Sequence, residues 1–529
     1  MNAPYNRREF LTEVGRGMVI AAVGYEVATD LGFASALAEE VSDRLSFGAL
    51  EPLVCLMQET PVNGLLPILV DKLHSGTDLR QLTAAAALAN ARTFGGEDYV
   101  GFHTMMALAP ALHMSRELPT ELQPLPVFKV LYRNTNRIQE HGGRKDEVLH
   151  AVSAEARKSG PPGSAGILPA SDGESLRAAV RREDVNEAEQ TFARIAQSSP
   201  DDAFNSLLFA VDDHTEVHRV VLPYRAWDLL GLIGKEQAHT LLRQSVRYCV
   251  KAESWQNPPG GNTPRNLLPK MLEEHKLLGK TPGDRKPDDA WVEQTSQAIF
   301  KSTPEQAAEI AAASLAEGIS PASLGEAITL AANQLILRDM GRTAQSEVPG
   351  KPIGSVHGDS IGVHACDSAN AWRNMALVTN SRNCFACLIL GAYQVAFDRT
   401  ARGGDFLNWQ PLPLARHLQE IKSENAQDLL RDAEEAIRGN LQAKASAVAQ
   451  RYGELGHDSR PLFDLLLRYA VSEDGSLHAE KFYRTVSEEF AATRAAYRWR
   501  HVVALARVTA SEFGRPAAGI AEARSLLQV

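Results

Sequence analysis

Apolar residues return every three or four positions through most of this chain, and stretches alternating apolar with polar β-branched residues are nearly absent. A helix gathers such residues on one face, whereas a half-buried strand needs a period of two, so the pattern confines the chain to packed helices. The segments LTAAAALANARTFGG, AWDLLGLIG and LLRDAEEAIRGNLQAKASAVAQRYG carry it. Start signals agree. Thr303-Pro304-Glu305-Gln306 is a capping sequence with proline at the first helical position, and Ser320-Pro321 opens the next helix in the same way. The expected fold is all-α: packed helix hairpins in one compact, partly superhelical domain over residues 39–529, a length that buries a large core.

Two stretches interrupt the periodicity. Residues 159–175, SGPPGSAGILPASDGES, are rich in Pro, Gly and Ser and read as an inserted surface loop. Residues 255–289 read as a loop-rich stretch around one short helical run, NLLPKMLEEHKLLG.

The net charge of -10, with Arg and Lys dispersed, argues against a nucleic-acid partner. No apolar run approaches the roughly 20 residues of a membrane span. At the N-terminus, Arg7-Arg8-Glu9-Phe10-Leu11 matches the pattern of a twin-arginine export signal. A short apolar stretch from Met18 to Gly24 follows, then small-residue cleavage options after Ala36 or Ala38. Residues 1–38 are expected to be a leader and the protein to be exported. Glu26 and Asp30 inside the leader keep a cytoplasmic location as the alternative.

Histidine carries the chemistry. Four segments open on a histidine and run into an apolar helix, at His103, His218, His364 and His457. In three of them a second soft ligand follows after 20 or 21 residues: His239, Cys384 and His478. That spacing suits a helix hairpin whose two helix starts lie at opposite ends, too far apart to share one ion. A site would instead gather the first histidines of different hairpins at one end of the bundle, with His218 and His364 facing one cavity. His214 and His218, at i and i+4, could chelate a transition metal, although Glu216 stands at the wrong place for the zinc-protease motif. In SVHGDSIGVHA, His357, Asp359 and His364 flank a glycine-bearing turn, where Asp359 could fix a tautomer for proton transfer. The expected catalytic residues are therefore His218, His364, His357 and Asp359, and the expected metal ligands His214, His218, His103 and His457.

Five cysteines do not make a disulfide framework. Cys384 and Cys387 form a C-x-x-C pair that could join His364 and Cys366 around zinc. Cys366 stands where a deaminase would need its glutamate, and CFACLILGAYQVAF reads as a buried helix. No phosphate loop or dinucleotide fingerprint is present.

These motifs together resemble the questin-oxidase-like family across roughly residues 45 to 490. LPVFKVLYRNT after FHTMMALAPAL is similar to its early hairpin. DDHTEVHRVVLPYRAW is similar to its H-x-x-I-x-x-G-Y-A region, with Tyr224 one residue closer to the histidine. SVHGDSIGVHA is similar to H-x-x-T-x-x-H-A, with Ser360 near the threonine. The resemblance implies oxygen-dependent oxidation of a small hydrophobic or aromatic substrate in a Baeyer–Villiger-like step, with NADPH as the cofactor; the histidine pattern adds a transition metal as the other cofactor to consider. The leader and the Pro/Gly insertion depart from that family. Two other readings stand beside the oxidoreductase: a non-catalytic exported scaffold that binds a protein partner, and a metal-binding helical protein.

Overall fold

The computed structural model describes residues 44–152, 171–256, 264–349, 351–358, 360–401 and 403–529. The expected leader, residues 159–170 of the insertion and Asp359 lie outside the described residues. Among those described there are 23 α-helices and no strand; β pairing is limited to isolated bridges such as Arg44 with His150. The chain is all-α.

Local signals place the helix ends. Thr303 and Gln306 cap each other at the start of Pro304–Ala316, as Asp78 and Gln81 do for Leu79–Phe94. Ser320 accepts from the Ser323 N–H at the start of Pro321–Arg338. The Pro/Gly/Ser-rich insertion ends earlier than its composition suggests. Ser171 accepts from the Glu174 N–H and opens the helix Asp172–Arg181, so residues 172–175 are helical. In the loop-rich stretch, Pro264–Glu274 is the short helix, and the next helix begins at Asp289.

Leu79–Phe94 is buried on all sides from Leu82 onward, and its alanines let neighbouring helices approach closely. Ser381–Ala401 is likewise buried from Asn383 to Ala396, with Cys384 and Cys387 as small core residues. The fully buried Trp372 donates its indole N–H to Gln394 Oε1 at 2.8 Å, which offsets the cost of burying that group.

The histidine-led hairpins form as the spacing predicts. Val217–Ile233 packs on Ala238–Gln256, Ile361–Val378 on Ser381–Ala401, and Ser459–Ser472 on His478–Ala492. Tyr99–Arg116 packs against both Val217–Ile233 and His478–Ala492, and Ile361–Val378 packs against the same two helices. Four helices distant in sequence thus close into a ring.

Candidate functional site

Each helix of that ring brings one histidine to the same end. His218, His364 and His478 lie in the first turn of their helices and His103 in the second. Ring centroids follow the order of the helices: His103 to His218 4.7 Å, His218 to His364 5.9 Å, His364 to His478 5.3 Å, and His478 back to His103 5.1 Å. The Nε2 atoms face one another in two pairs, His218 with His103 and His364 with His478, each at 3.2 Å. His103, His364 and His478 are between 4% and 6% exposed, while the side chain of His218 keeps 12% of its surface in solvent.

The outer nitrogens of three imidazoles are spent on oxygens. His103 Nδ1–H donates to the Tyr99 carbonyl at 2.7 Å, His478 Nδ1–H to the Ser476 carbonyl at 3.0 Å, and His218 Nδ1–H to Glu216 Oε1 at 2.5 Å. An acceptor at Nδ1 puts a proton there, and in a neutral imidazole this leaves Nε2 as a lone pair. Burial, with the nearby charges of Lys481 and the other histidines, holds His103 and His478 well below the usual histidine range, so both are neutral. The helix N-termini beneath the cluster act in the same direction.

Glu216 anchors the site. It is the N-cap of Val217–Ile233, where Oε2 accepts from the backbone N–H groups of His218 and Arg219 and from the Tyr248 hydroxyl at 2.7 Å. Burial alone would raise its carboxyl; the interactions with His218 and Tyr248 outweigh that and hold it at about 2. His478 is set by strain. Ser476 and Leu477, just before it, both take positive φ, of 50° and 66°. Non-glycine residues adopt that conformation at a cost of roughly 1–3 kcal/mol each, and only where the surroundings enforce it. Gly358 packs on the far side, where a Cβ would overlap the Cβ and Cγ of His478.

Aromatic rings pack around the cluster. Tyr99 is 60% exposed, yet its ring lies 4.4 Å from that of His103 and 5.8 Å from that of His218. Phe102 and Tyr248 continue the wall, 5.3 Å apart. On the buried side lies a polar chain. Lys481, one turn beyond His478, is lowered to about 8 by burial, against the pull of Asp367. Asp367 accepts from Thr485 Oγ1 at 2.8 Å, and Thr485 in turn accepts from Arg225 at 3.1 Å.

Of the residues expected from sequence, His103, His218 and His364 meet here. His457 does not: its Nε2 engages the Glu424 carbonyl at 2.8 Å beside Tyr452. The hairpin it opens contributes its second histidine, His478, instead. His214 turns away; its Nδ1 accepts from the Glu216 N–H, and burial lowers it to about 4. His357 is buried one residue before Gly358, and its Nε2 accepts from Arg515 at 3.0 Å. Cys249, Cys366, Cys384 and Cys387 stay in the core as thiols, with burial pushing Cys384 up to about 12, and Cys55 is half-buried.

Among the described residues, no group of three or more His, Cys, Asp and Glu side chains stands where it could hold a metal ion. The four histidines meet as two Nε2–Nε2 pairs. No family model, no curated protein and no solved structure matches the chain.

Proposed function

We propose that His103, His218, His364 and His478 bind one transition-metal ion through Nε2, and that this centre serves an oxidoreductase acting on a small hydrophobic or aromatic molecule. The observation that carries the reading is the His103–His218 pair, whose Nε2 atoms lie 3.2 Å apart. With both rings neutral and protonated at Nδ1, two lone pairs would meet there, an arrangement that a metal ion relieves. A tetrahedral ion with metal–nitrogen bonds of about 2.0–2.1 Å sets its ligand nitrogens about 3.4 Å apart. A shared proton would serve a single pair. Four imidazoles drawn from four helices favour a metal, once the two pairs draw together around it.

All-imidazole donors suit iron, copper, nickel and zinc, and oxygen-dependent chemistry selects a metal that changes oxidation state, iron or copper. Such an ion would supply the route for electrons between substrate and oxygen. The chain's own contribution is positional. Glu216, Tyr99 O and Ser476 O fix the tautomers, as hydrogen-bonded partners do at metal centres. Tyr99, exposed beside His103, offers a ring face to an aromatic substrate on the solvent side. Lys481 and Asp367 place a titratable pair beside the centre. The export expectation accords with this reading, since the twin-arginine route carries proteins that fold and load a cofactor before crossing.

The test is oxygen uptake by protein reconstituted with iron or with copper, over a panel of phenols and aromatic ketones. Substrate-dependent uptake that is lost in His218→Ala and His364→Ala, with circular dichroism unchanged, is the expected result. A reconstituted protein that consumes no oxygen with any of them contradicts the oxidoreductase reading, and leaves metal binding to be judged by metal content.

A further inference from the structure

A cavity of about 530 Å³ lies between the helices Asp289–Lys301, Pro321–Arg338, Gln442–Glu454 and Trp499–Glu512, and it shares no lining residue with the histidine cluster. Its walls are mixed. Leu337, Leu412 and Val503 with the rings of Tyr497 and Trp499 form an apolar part, and Arg338 and Gln334 stand side by side in the polar part.

The polar part has donors to spare. Arg338 gives Nη1–H to the Trp409 carbonyl at 2.6 Å and Nε–H to Gln334 Oε1 at 3.2 Å, and among the described residues it has no carboxylate partner. Three of its five N–H groups remain. Gln334 is only 6% exposed, and with Oε1 committed to Arg338 its amide N–H groups have no acceptor among the described residues. The Trp499 indole N–H has none either. Of the acidic groups at the cavity, Glu293 pairs with Arg500 at 2.6 Å and accepts from Gln297, while Glu454, which accepts from Gln450 at 2.7 Å, is exposed to solvent that screens its charge. A half-buried guanidinium without a counter-charge, beside an unspent buried amide, is matched by a planar anion that accepts several hydrogen bonds at once. The neighbouring rings and aliphatic side chains match an apolar body attached to it.

We propose that this cavity is a second binding site, for a small free carboxylic acid with an aromatic or alicyclic body, its carboxylate on Arg338 and Gln334 and its ring against Trp499. The site stands independently of the metal reading.

Calorimetric titration of the full chain with phenylacetate and benzoate, and with their neutral amides, tests this. The expected result is saturable one-to-one binding of at least one acid, with its amide weaker by about tenfold or more, the loss of one charge-assisted contact. Arg338→Met should abolish binding and His218→Ala should leave it unchanged. The comparison of acid with amide on the unaltered protein decides the matter even if Arg338→Met fails to fold. Equal binding of acid and amide, no binding at millimolar acid, or binding lost in His218→Ala would each overturn the assignment.

Discussion

His103 and His218 face each other Nε2 to Nε2 at 3.2 Å, and each gives its Nδ1–H to an oxygen, the Tyr99 carbonyl or the Glu216 carboxylate. The two residues are 115 positions apart and sit on different helices, so the backbone of one and the acid of the other have been used to turn two basic nitrogens inward. The expectations below rest on that arrangement.

Glu216→Gln removes the charge that fixes the His218 tautomer while keeping the shape of the N-cap. Partners of this kind typically contribute 10- to 100-fold in metal affinity, so a loss of about that size is expected in competition titrations against a chelator. Helix content should be unchanged. Affinity equal to that of the unaltered protein would mean that Glu216 only caps its helix.

Gly358→Ala drives a Cβ into the imidazole of His478. Overpacking of this kind costs about 1–3 kcal/mol. Melting should fall accordingly, and metal content should fall further than the stability loss explains, because His478 is displaced. Retained metal in a destabilised protein would remove His478 from the site.

Tyr99 stands exposed above the cluster. Tyr99→Ala should raise KM for an aromatic substrate roughly three- to tenfold, the size of one aromatic contact, and Tyr99→Phe should not. Metal content should stay the same in both. An unchanged KM in Tyr99→Ala would place the substrate on another side.

Stability should fall on both sides of neutrality. Burial lowers His214, His239 and His501 from 6.5 to about 4. Their neutral forms are favoured in the fold, so their contribution is present above 6.5 and is lost as pH drops towards 4. Glu512 behaves oppositely. Burial pushes it from 4.5 up to about 8, so its contribution is full below 4.5 and is lost as pH rises through 8. Glu512→Gln mimics the protonated acid and should melt above the unaltered protein by a margin that widens from about pH 5 to about pH 9. A constant margin would show that Glu512 is ionised in the fold throughout.

Much of the helical framework was legible because period and caps are local. Thr303, Ser320 and Asp78 sit where their sequences place them. The end of the insertion was misread because Ser171 and Glu174 form a cap inside a stretch whose composition says loop. The hairpin spacing was also legible, and with it the idea that histidines of different hairpins meet. Which end of each hairpin faces the centre was not. That is decided by packing between helices far apart in sequence, and so His478 takes the place expected for His457. Glu216 was passed over for a related reason. It fits no protease motif, and its role depends on being the N-cap of the helix that carries His218. Lys481 and Tyr248 carry no local signal at all; only the closed ring brings them near.

The most direct measurement is metal content by elemental analysis of protein loaded anaerobically with iron, copper or zinc and then desalted. One metal ion per chain is expected. It should be lost in each of His103→Ala, His218→Ala, His364→Ala and His478→Ala and kept in His457→Ala and His417→Ala, with the helical signal unchanged throughout. No retained metal under any loading, or metal lost equally in His457→Ala, would contradict the four-histidine centre.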